Sequence, residues 1–361
     1  MGTAAQIRVV VGMSGGVDSA VAALRLIEAG HEVHGLFMSN WDDSDDYCSS
    51  AQDYQDARTT ARELGIVLHR VSFAAEYRQQ VFAQFLAEYR RGRTPNPDVL
   101  CNREIKFGVC LHYARRLGAA QFATGHYARL QQGGDGPELL RACDAGKDQS
   151  YFLCGVERAQ FTQVLFPLGN LSKPAVRALA QRAGLPVFDK PDSTGICFIG
   201  ERPFAEFLSR YIPDSPGPIE SAAGRVLGTH RGLPFYTLGQ RGGLGLGGVA
   251  GGSGDPWYVA RKDTRRNALI VIAARDRAHL SSQTLRTGAV NWLAVPPGPV
   301  FEAAVKVRYR QADQSASVTR LEDGGVQIRF DSPQWAITPG QTAALYLGDR
   351  CLGGSVIEET L

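Results

Sequence analysis

The sequence lacks the features that would assign it at once to a membrane, secreted or zinc-binding class. No run of apolar residues approaches the roughly 20 needed to span a bilayer, which predicts a protein with no membrane segment. Residues 1–6 are too short and too uncharged for a signal or transit peptide, so we expect a cytoplasmic protein. The seven cysteines form no CxxC pair and no Cys/His cluster, which argues against a disulfide scaffold and a structural zinc site. We therefore treat the cysteines as free thiols that are candidates for a chemical role.

The chain also lacks a strong excess of charge. Its 39 Lys and Arg against 36 Asp and Glu leave a net charge of +3, so only local clusters can indicate a nucleic-acid partner. The length of 361 residues exceeds the roughly 250–300 at which a single core stops growing, which predicts several domains. The composition changes beyond Gly200, and we expect domains at residues 1–204, 205–280 and 281–361.

Strands and helices alternate through the first 200 residues, which predicts an α/β domain with a doubly wound parallel sheet. Residues 205–280 are turn-rich with short strands and predict a small β-rich domain. From residue 284 the pattern is β throughout and predicts a β-barrel, with a hairpin turn at residues 322–325 and a strand through residues 305–310. In the first domain the predicted strands are 7–11, 33–38, 66–71 and 122–124, and the predicted helices are 19–29, 51–64, 78–89 and 106–117.

A Gly-rich turn joins the first predicted strand to the first helix, with the sequence Ser14-Gly15-Gly16-Val17-Asp18-Ser19. A phosphate group can sit on the N-terminus of that helix, where free N–H groups and the helix dipole favour an anion. Glycines let the backbone approach the ligand because they have no Cβ. Asp18 stands where the Walker pattern requires a lysine, so a P-loop NTPase is disfavoured. The turn instead resembles the pyrophosphate loop, or PP-loop, of the N-type ATP pyrophosphatases.

An Arg- and Pro-rich stretch, residues 90–103, surrounds the first candidate thiol, Cys101. Because two prolines oppose regular structure, we expect a loop that meets phosphates and a base. Its arginines could equally end a helix, where cations are favoured. Arg103, Lys106 and a following helix N-terminus would raise the thiolate fraction of Cys101. Asp98 is near enough in sequence to carry a proton.

Two further stretches suit binding or chemistry. Cys197 lies in a Gly-bounded apolar segment and is a second candidate thiol, although a buried structural cysteine is an equal reading. Lys147, Asp148 and Gln149 combine charge and amide before two aromatic residues, a composition that suits a displaced base. Met38 and Gly125 lie at the carboxyl ends of predicted strands and are candidate neighbours of an adenine ring, although Met38 could also be a plain core residue.

Several motifs in order resemble the tRNA-specific 2-thiouridylases of the bacterial MnmA type. The resemblance covers nearly the whole chain and implies an enzyme that converts the wobble uridine of the tRNAs for Lys, Glu and Gln into 2-thiouridine. It implies ATP and Mg²⁺ as cofactors, the tRNA anticodon stem-loop as substrate and a persulfide sulfur-donor protein as partner. The motifs are the PP-loop, Asn96-Pro97-Asp98-x-x-Cys101-Asn102, Gly125-His126-Tyr127, Lys147-Asp148-Gln149-Ser150-Tyr151, Gly195-Ile196-Cys197-Phe198-Ile199-Gly200, Gly239-Gln240-Arg241-x-Gly243-Leu244 and Trp257-Tyr258-Val259.

The resemblance also implies roles for individual residues. Cys197 receives the persulfide sulfur, Cys101 is the nucleophile that releases it, and Asp98 is the general acid/base. The nucleotide-binding residues are Gly12, Met13, Ser14, Gly15, Gly16, Val17, Asp18, Ser19, Met38 and Gly125. The tRNA-binding residues are Asn96, Pro97, Asp98, Lys147, Asp148, Gln149, Arg308 and Tyr309.

Two other functions remain open from the residues alone. An amide-forming ligase of the same ATP pyrophosphatase class would keep the PP-loop but would need no cysteine pair. A protein that binds ATP and RNA without catalysis would release no pyrophosphate.

Overall fold

A five-stranded parallel sheet organises the first domain of the computed structural model, which describes residues 6–41, 50–192, 204–246 and 255–361. The strand order is β3-β2-β1-β4-β7, with the first strand at the centre. The strands are β1 (Arg8–Gly12), β2 (Glu32–Ser39), β3 (Val67–Ser72), β4 (Gln121–Ala123) and β7 (Val164–Leu165). The helices are α1 (Val17–Glu28), α2 (Ser50–Glu63), α3 (Ala74–Tyr77), α4 (Ala83–Arg90), α5 (Pro97–Leu100), α6 (Leu111–Arg116), α7 (Ser150–Leu153) and α8 (Lys173–Arg182). Two π-type helical segments, Arg78–Phe82 and Cys101–Cys110, connect α3 to α4 and α5 to α6, and a 3₁₀ helix spans Arg158–Gln163.

Successive residues of β1 point to opposite faces of the sheet, and each face is covered by helices. Val10 packs into a cluster with Phe85, Ile105 and other residues, whereas Val9 and Val11 pack into a second cluster with α1 and α8. The three valines are fully buried because both faces are covered. The predicted doubly wound parallel sheet is therefore confirmed. The four predicted strands and the first two predicted helices lie within two residues of the observed bounds.

The prediction of an irregular loop through residues 90–103 is wrong in its second half. A helix begins at Pro97, and the Asn96 side chain caps it by accepting a hydrogen bond from the Asp98 N–H at 3.2 Å. Proline is tolerated at the first helical position because the N–H it lacks has no partner there. Cys101 therefore lies inside a helix rather than before one.

Four strands form the sheet of the second domain, in the order β10-β11-β8-β9. The strand β11 is the centre of its core, with all six residues buried. The elements are α9 (Phe204–Ser209), β8 (Gly217–Ser221), β9 (Val226–His230), a 3₁₀ helix at Leu233–Phe235, β10 (Trp257–Asp263), β11 (Ala268–Ala273) and a 3₁₀ helix at Ala274–Leu280.

Six antiparallel strands, β12 and β14 to β18, form the barrel of the third domain, which closes because β12 pairs with both β16 and β18. The two-residue strand β13 pairs with β18 beside the barrel. The predicted hairpin is confirmed, since Arg320 pairs with Val326 across the turn. The predicted strand through residue 310 is wrong at its end, because β14 stops at Lys306. The strands are β12 (Ser281–Thr287), β13 (Asn291–Trp292), β14 (Val300–Lys306), β15 (Gln314–Arg320), β16 (Val326–Trp335), β17 (Thr342–Leu347) and β18 (Arg350–Thr360).

The barrel packs directly on the first domain. The first-domain hairpin β5 (Arg129–Gly133) and β6 (Gly136–Leu140) extends the barrel sheet, with Leu140 opposite Arg350 of β18. The Thr94 N–H donates to the Pro339 carbonyl at 3.0 Å. The Tyr151 hydroxyl donates to the Thr342 carbonyl at 2.9 Å. The stretch around residues 94–101 is thus held between two domains. None of the described helices is long and apolar enough to span a bilayer.

Candidate functional site

The PP-loop, residues 14–19, connects the carboxyl end of β1 to α1. Gly16 is the N-cap of α1, and the Ser19 hydroxyl ties the turn together by accepting from the Ser14 N–H at 3.1 Å and donating to the Gly16 carbonyl at 3.0 Å. The Ser14 and Ser19 hydroxyl oxygens are 3.2 Å apart. The loop is therefore pre-formed around the N-terminus of α1, where backbone N–H groups favour an anion.

The two loop glycines have different surroundings. Gly15 has a φ of +76°, and a Cβ built there would lie 2.2 Å from the Asp53 carbonyl oxygen of α2. Gly16 has an ordinary extended backbone, and a Cβ there would meet only the Ser14 hydroxyl at 3.5 Å. Gly15 is thus required by the fold of the protein itself. Gly16 leaves open space through which a ligand can approach the backbone.

Two lysines from distant parts of the chain reach the loop. The Lys173 ammonium lies 2.8 Å from both carboxylate oxygens of Asp18, and its side chain is only 10% exposed. The Lys190 ammonium donates to the Gly15 carbonyl at 3.0 Å and pairs with Asp53 at 2.8 Å. Sequence reasoning missed both as PP-loop contacts. Nothing local identifies Lys173, because it is 155 residues from its partner.

Asp192 gathers three cations beside the loop. Its carboxylate lies 2.6 Å from the Lys147 ammonium, 2.7 Å from Lys173 and 3.1 Å from the Arg177 guanidinium. Burial alone would raise the pKa of Asp192, but the hydrogen bonds from Lys147 and Lys173 outweigh it and lower the pKa to about 2. Asp192 therefore stays ionised throughout the physiological pH range.

A continuous set of hydrogen bonds connects the PP-loop to the neighbourhood of Cys101. The Tyr127 hydroxyl donates to Asp18 at 2.8 Å, and the Tyr127 N–H donates to the Gln149 side chain at 2.9 Å. The Phe152 N–H donates to the Gln149 carbonyl at 3.0 Å, and the Asn102 side chain donates to the Phe152 carbonyl at 3.0 Å. Three predicted site segments and the PP-loop thus meet at one side of the first domain.

Asp98 and Cys101 lie one turn apart on the same helical segment. Residues at this spacing share a helix face, so the carboxylate and the thiol are neighbours. Cys101 is buried, with 1% exposure. Asn96 is the N-cap of the helix and Pro97 is its first residue. Cys197 lies outside the described residues.

The predicted adenine neighbours lie on either side of the loop. A Cβ on Gly125 would lie 2.8 Å from the Asp18 carbonyl carbon and the Ser19 nitrogen, so this strand end packs directly against the start of α1. Met38 is half-buried at the carboxyl end of β2, and its sulfur lies 3.4 Å from that of Cys110. Gly12 ends β1, while Met13 and Val17 are buried in the core beneath the loop.

All three predicted base contacts in residues 147–149 have internal partners, and that of Lys147 is the Asp192 carboxylate at 2.6 Å. Asp148 is buried, and its carboxylate accepts from the Ala142 N–H at 3.0 Å and from the Ser150 hydroxyl at 2.9 Å. Gln149 is bound to Tyr127 through both its side chain and its backbone. These contacts fix the loop that carries Lys147.

The barrel contributes Arg308 and Tyr309 to the same side. The Tyr309 ring packs on Phe152 with 4.3 Å between ring centroids. The Arg308 guanidinium is half-buried and donates to the Ala336 carbonyl at 2.7 Å. Both residues follow β14 in a turn, and from there Tyr309 reaches Phe152 of the first domain.

Family models match three consecutive parts of the chain. The tRNA methyl transferase HUP domain matches residues 7–201, the tRNA methyl transferase PRC-barrel domain residues 205–273, and the aminomethyltransferase beta-barrel domain residues 282–357. The chain is 54% identical over 356 residues to the tRNA-specific 2-thiouridylase MnmA of Chromohalobacter salexigens, covering 98% of this chain and 93% of that protein. It is also 54% identical over 355 residues to MnmA of Cupriavidus metallidurans, covering 97% of this chain and 99% of that protein. The chain belongs to the tRNA-specific 2-thiouridylase family and is a tRNA sulfurtransferase.

Proposed function

We propose that the protein thiolates C2 of the wobble uridine in the tRNAs for Lys, Glu and Gln, consuming ATP and releasing AMP and pyrophosphate. The observation that supports this most is the hydrogen-bonded path from Asp18 to Asn102, the residue after Cys101, which runs through Tyr127, Gln149 and the Phe152 backbone. It joins an anion-binding loop to a thiol within one site. The reaction needs the anion-binding loop and the thiol in one site, because the loop would hold the nucleotide that activates the carbonyl oxygen and the thiol would supply the sulfur that attacks the carbon.

The uracil C2 carbonyl requires activation because its oxygen is a poor leaving group. Adenylation converts that oxygen into part of AMP, which sulfur can displace. The nucleotide phosphates would sit on the N-terminus of α1 above Gly16, with Ser14 and Ser19 as hydroxyl donors. The residues proposed to hold the nucleotide are Gly12, Met13, Ser14, Gly15, Gly16, Val17, Asp18, Ser19, Met38 and Gly125.

The loop also fits a magnesium–nucleotide complex. Asp18 and the two serine hydroxyls are hard oxygen donors beside the proposed phosphate position, which is the ligand type that Mg²⁺ prefers. A bound Mg²⁺ would neutralise phosphate charge during adenylation. Asp18 is restrained by Lys173 and Tyr127, so its carboxylate is held in place before any ligand arrives.

Two cysteines would carry the sulfur. Cys197 receives it as a persulfide from a donor protein, and the Cys101 thiolate attacks the inner sulfur to form a Cys101–Cys197 disulfide and release hydrosulfide. Hydrosulfide then displaces AMP from C2. Asp98 would act as the general acid/base, which its place one turn from Cys101 supports. In a reducing cytoplasm such a disulfide is transient.

The target base must leave the anticodon stack to reach this site. Asn96, Pro97 and Asp98 at the helix start would contact the base, and Lys147 would approach it from the neighbouring loop. Asp148 and Gln149 would act mainly by fixing that loop, because their side chains have protein partners. Arg308 and Tyr309 would meet the tRNA from the barrel side.

The test is mass analysis of nucleosides from tRNA incubated with the protein, ATP, Mg²⁺ and the sulfur source. We expect 2-thiouridine from the wild type and from Cys143→Ser, an exposed cysteine outside the proposed site, but none from Cys101→Ser. Thiolation by Cys101→Ser at the wild-type rate would contradict the assignment of the nucleophile. Wild-type protein that forms no 2-thiouridine would contradict the function.

A further inference from the structure

The PP-loop carries a negative charge and no positive charge of its own at the proposed phosphate site. It contains no lysine, and its single charged residue, Asp18, is an anion at the position where a polyphosphate would bind. Like charges at close range repel strongly in a partly buried site. A cation from elsewhere must therefore neutralise Asp18 before a nucleotide can approach.

Lys173 is placed to do this. Its ammonium lies 2.8 Å from both Asp18 oxygens and 2.7 Å from Asp192, with its side chain 10% exposed. Lys173 is the first residue of α8, where Ser172 is the N-cap and the Lys173 N–H donates to Asp144 at 2.8 Å. The backbone of Lys173 is thus held by the helix start and by Asp144.

The charges around the loop balance without a ligand. Among the described residues, the cations Lys147, Lys173, Arg177 and Lys190 form ion pairs with the carboxylates Asp18, Asp53, Asp56 and Asp192. The Lys173 ammonium has three N–H groups, and it lies 2.8 Å from each Asp18 oxygen and 2.7 Å from an Asp192 oxygen, so a contact with phosphate would replace a contact with a carboxylate. Lys173 is the one described cation that bridges a loop carboxylate and a carboxylate outside the loop.

We propose that Lys173 supplies the PP-loop with the cation its sequence lacks. In the free protein it neutralises Asp18. When ATP binds, its ammonium turns from Asp18 to the β- and γ-phosphates, while Asp192 retains it near the loop. This inference rests on the proposed use of ATP and assigns Lys173 as a residue selective for the pyrophosphate part of the nucleotide.

The experiment is equilibrium binding of ATP and AMP to the full-length protein, by calorimetry. A charge-assisted hydrogen bond contributes about 1.5–3 kcal/mol, so we expect Lys173→Ala to weaken ATP binding roughly 10- to 100-fold. AMP has no β- or γ-phosphate, so its affinity should change by no more than about twofold. Arg177→Ala is the matched control. Like Lys173→Ala, it removes one cation that pairs with Asp192, but the Arg177 side chain pairs with Asp192 and not with Asp18. Its ATP affinity should stay near the wild-type value.

Two further variants keep the test decisive. Lys173→Gln retains a hydrogen-bond donor for Asp18 without the charge and should show the same selective loss if Lys173→Ala does not fold. Asp192→Asn should weaken ATP binding by a smaller factor, because Lys173 then pairs with Asp18 alone. Equal ATP affinity in that variant and the wild type would overturn the role of Asp192.

The outcomes separate this inference from the function on which it rests. Wild-type protein that binds no ATP would overturn the proposed function itself. If the wild type binds ATP, then unchanged ATP affinity in the Lys173 variants would overturn only the inference. Equal weakening of ATP and AMP would show that Lys173 acts through the fold, and an equal loss in Arg177→Ala would assign the effect to total charge. Both results contradict a selective role for Lys173.

Discussion

Substituting alanine at each of the two loop glycines should separate the fold of the PP-loop from its binding of phosphate. At Gly16 the backbone is extended, and a Cβ meets only the Ser14 hydroxyl at 3.5 Å, which is ordinary contact. We expect Gly16→Ala to change the free energy of unfolding by less than about 1 kcal/mol, since the loss of a glycine N-cap is offset by lower entropy of the unfolded chain. The same methyl group would occupy the path of a phosphate to the helix N-terminus.

The expected cost to binding follows from the contacts that would be lost. A backbone N–H bonded to a phosphate contributes about 1.5–3 kcal/mol, so the loss of one such bond weakens ATP binding roughly 10- to 100-fold. Gly15→Ala should behave differently. Alanine in the left-handed region costs about 1–2 kcal/mol, and its Cβ would lie 2.2 Å from the Asp53 carbonyl oxygen, so α2 must move.

Thermal unfolding without nucleotide and calorimetric titration with ATP measure the two effects separately. We expect Gly16→Ala to keep the wild-type melting temperature and lose ATP affinity, and Gly15→Ala to lose both. Wild-type ATP affinity in a folded Gly16→Ala protein would refute the placement of phosphate on this helix N-terminus. A wild-type melting temperature for Gly15→Ala would refute the steric reasoning about Asp53.

Two other predictions concern charges away from the loop. The Lys262 ammonium is buried with no hydrogen-bond partner in the described part of the chain, and burial lowers its pKa to about 8. Between about pH 8 and 10.5 the unfolded chain therefore binds more protons than the folded protein, so the free energy of unfolding of the wild type should rise with pH in that window relative to that of Lys262→Met. At pH 7 the variant should be more stable than the wild type by about 3 kcal/mol. Urea unfolding of both proteins at pH 7 and 9.5 tests this, and equal stabilities of the two proteins at both pH values would contradict it. The Arg91 side chain is 70% exposed and lies six residues before Pro97 in the sequence, so Arg91→Ala should reduce the log–log salt slope of tRNA binding by about one. Arg62→Ala on α2, where the side chain is 77% exposed, is the control and should leave the slope unchanged. Filter binding from about 50 to 200 mM salt measures both slopes, and an unchanged slope for Arg91→Ala would contradict a phosphate contact by Arg91.

The sequence determined those parts of the protein that depend on neighbouring residues. The run Val9-Val10-Val11 before a glycine turn is enough to predict a buried strand, since each valine packs on one face or the other of a covered sheet. Gly15 could be assigned to a tight turn because only glycine adopts its φ without strain. The hairpin at residues 322–325 follows from turn chemistry in the same way.

Local reasoning was misled where one residue type has two structural roles. Proline opposes a helix in its interior but suits its first position, so Pro97 indicated a loop although it begins a helix. The deciding feature is Asn96 directly before it, because asparagine is favoured at the N-cap and its side chain accepts from the Asp98 N–H. Once the helix is known, Asp98 and Cys101 lie one turn apart, a relation that an irregular loop would not have given them.

Only the tertiary structure decided which charges surround the PP-loop. Asp18 was recognisable from its motif, but Lys173 reaches it by the packing of α8 against α1 in a common core. The hairpin β5–β6 likewise joins the barrel sheet through a pairing with Arg350, far along the chain. Helix caps, turns and strand patterns are set by residues close in sequence, so they can be derived from it. Ion pairs and sheet pairings between distant segments depend on how whole elements pack, and a single sequence carries no local signal of that packing.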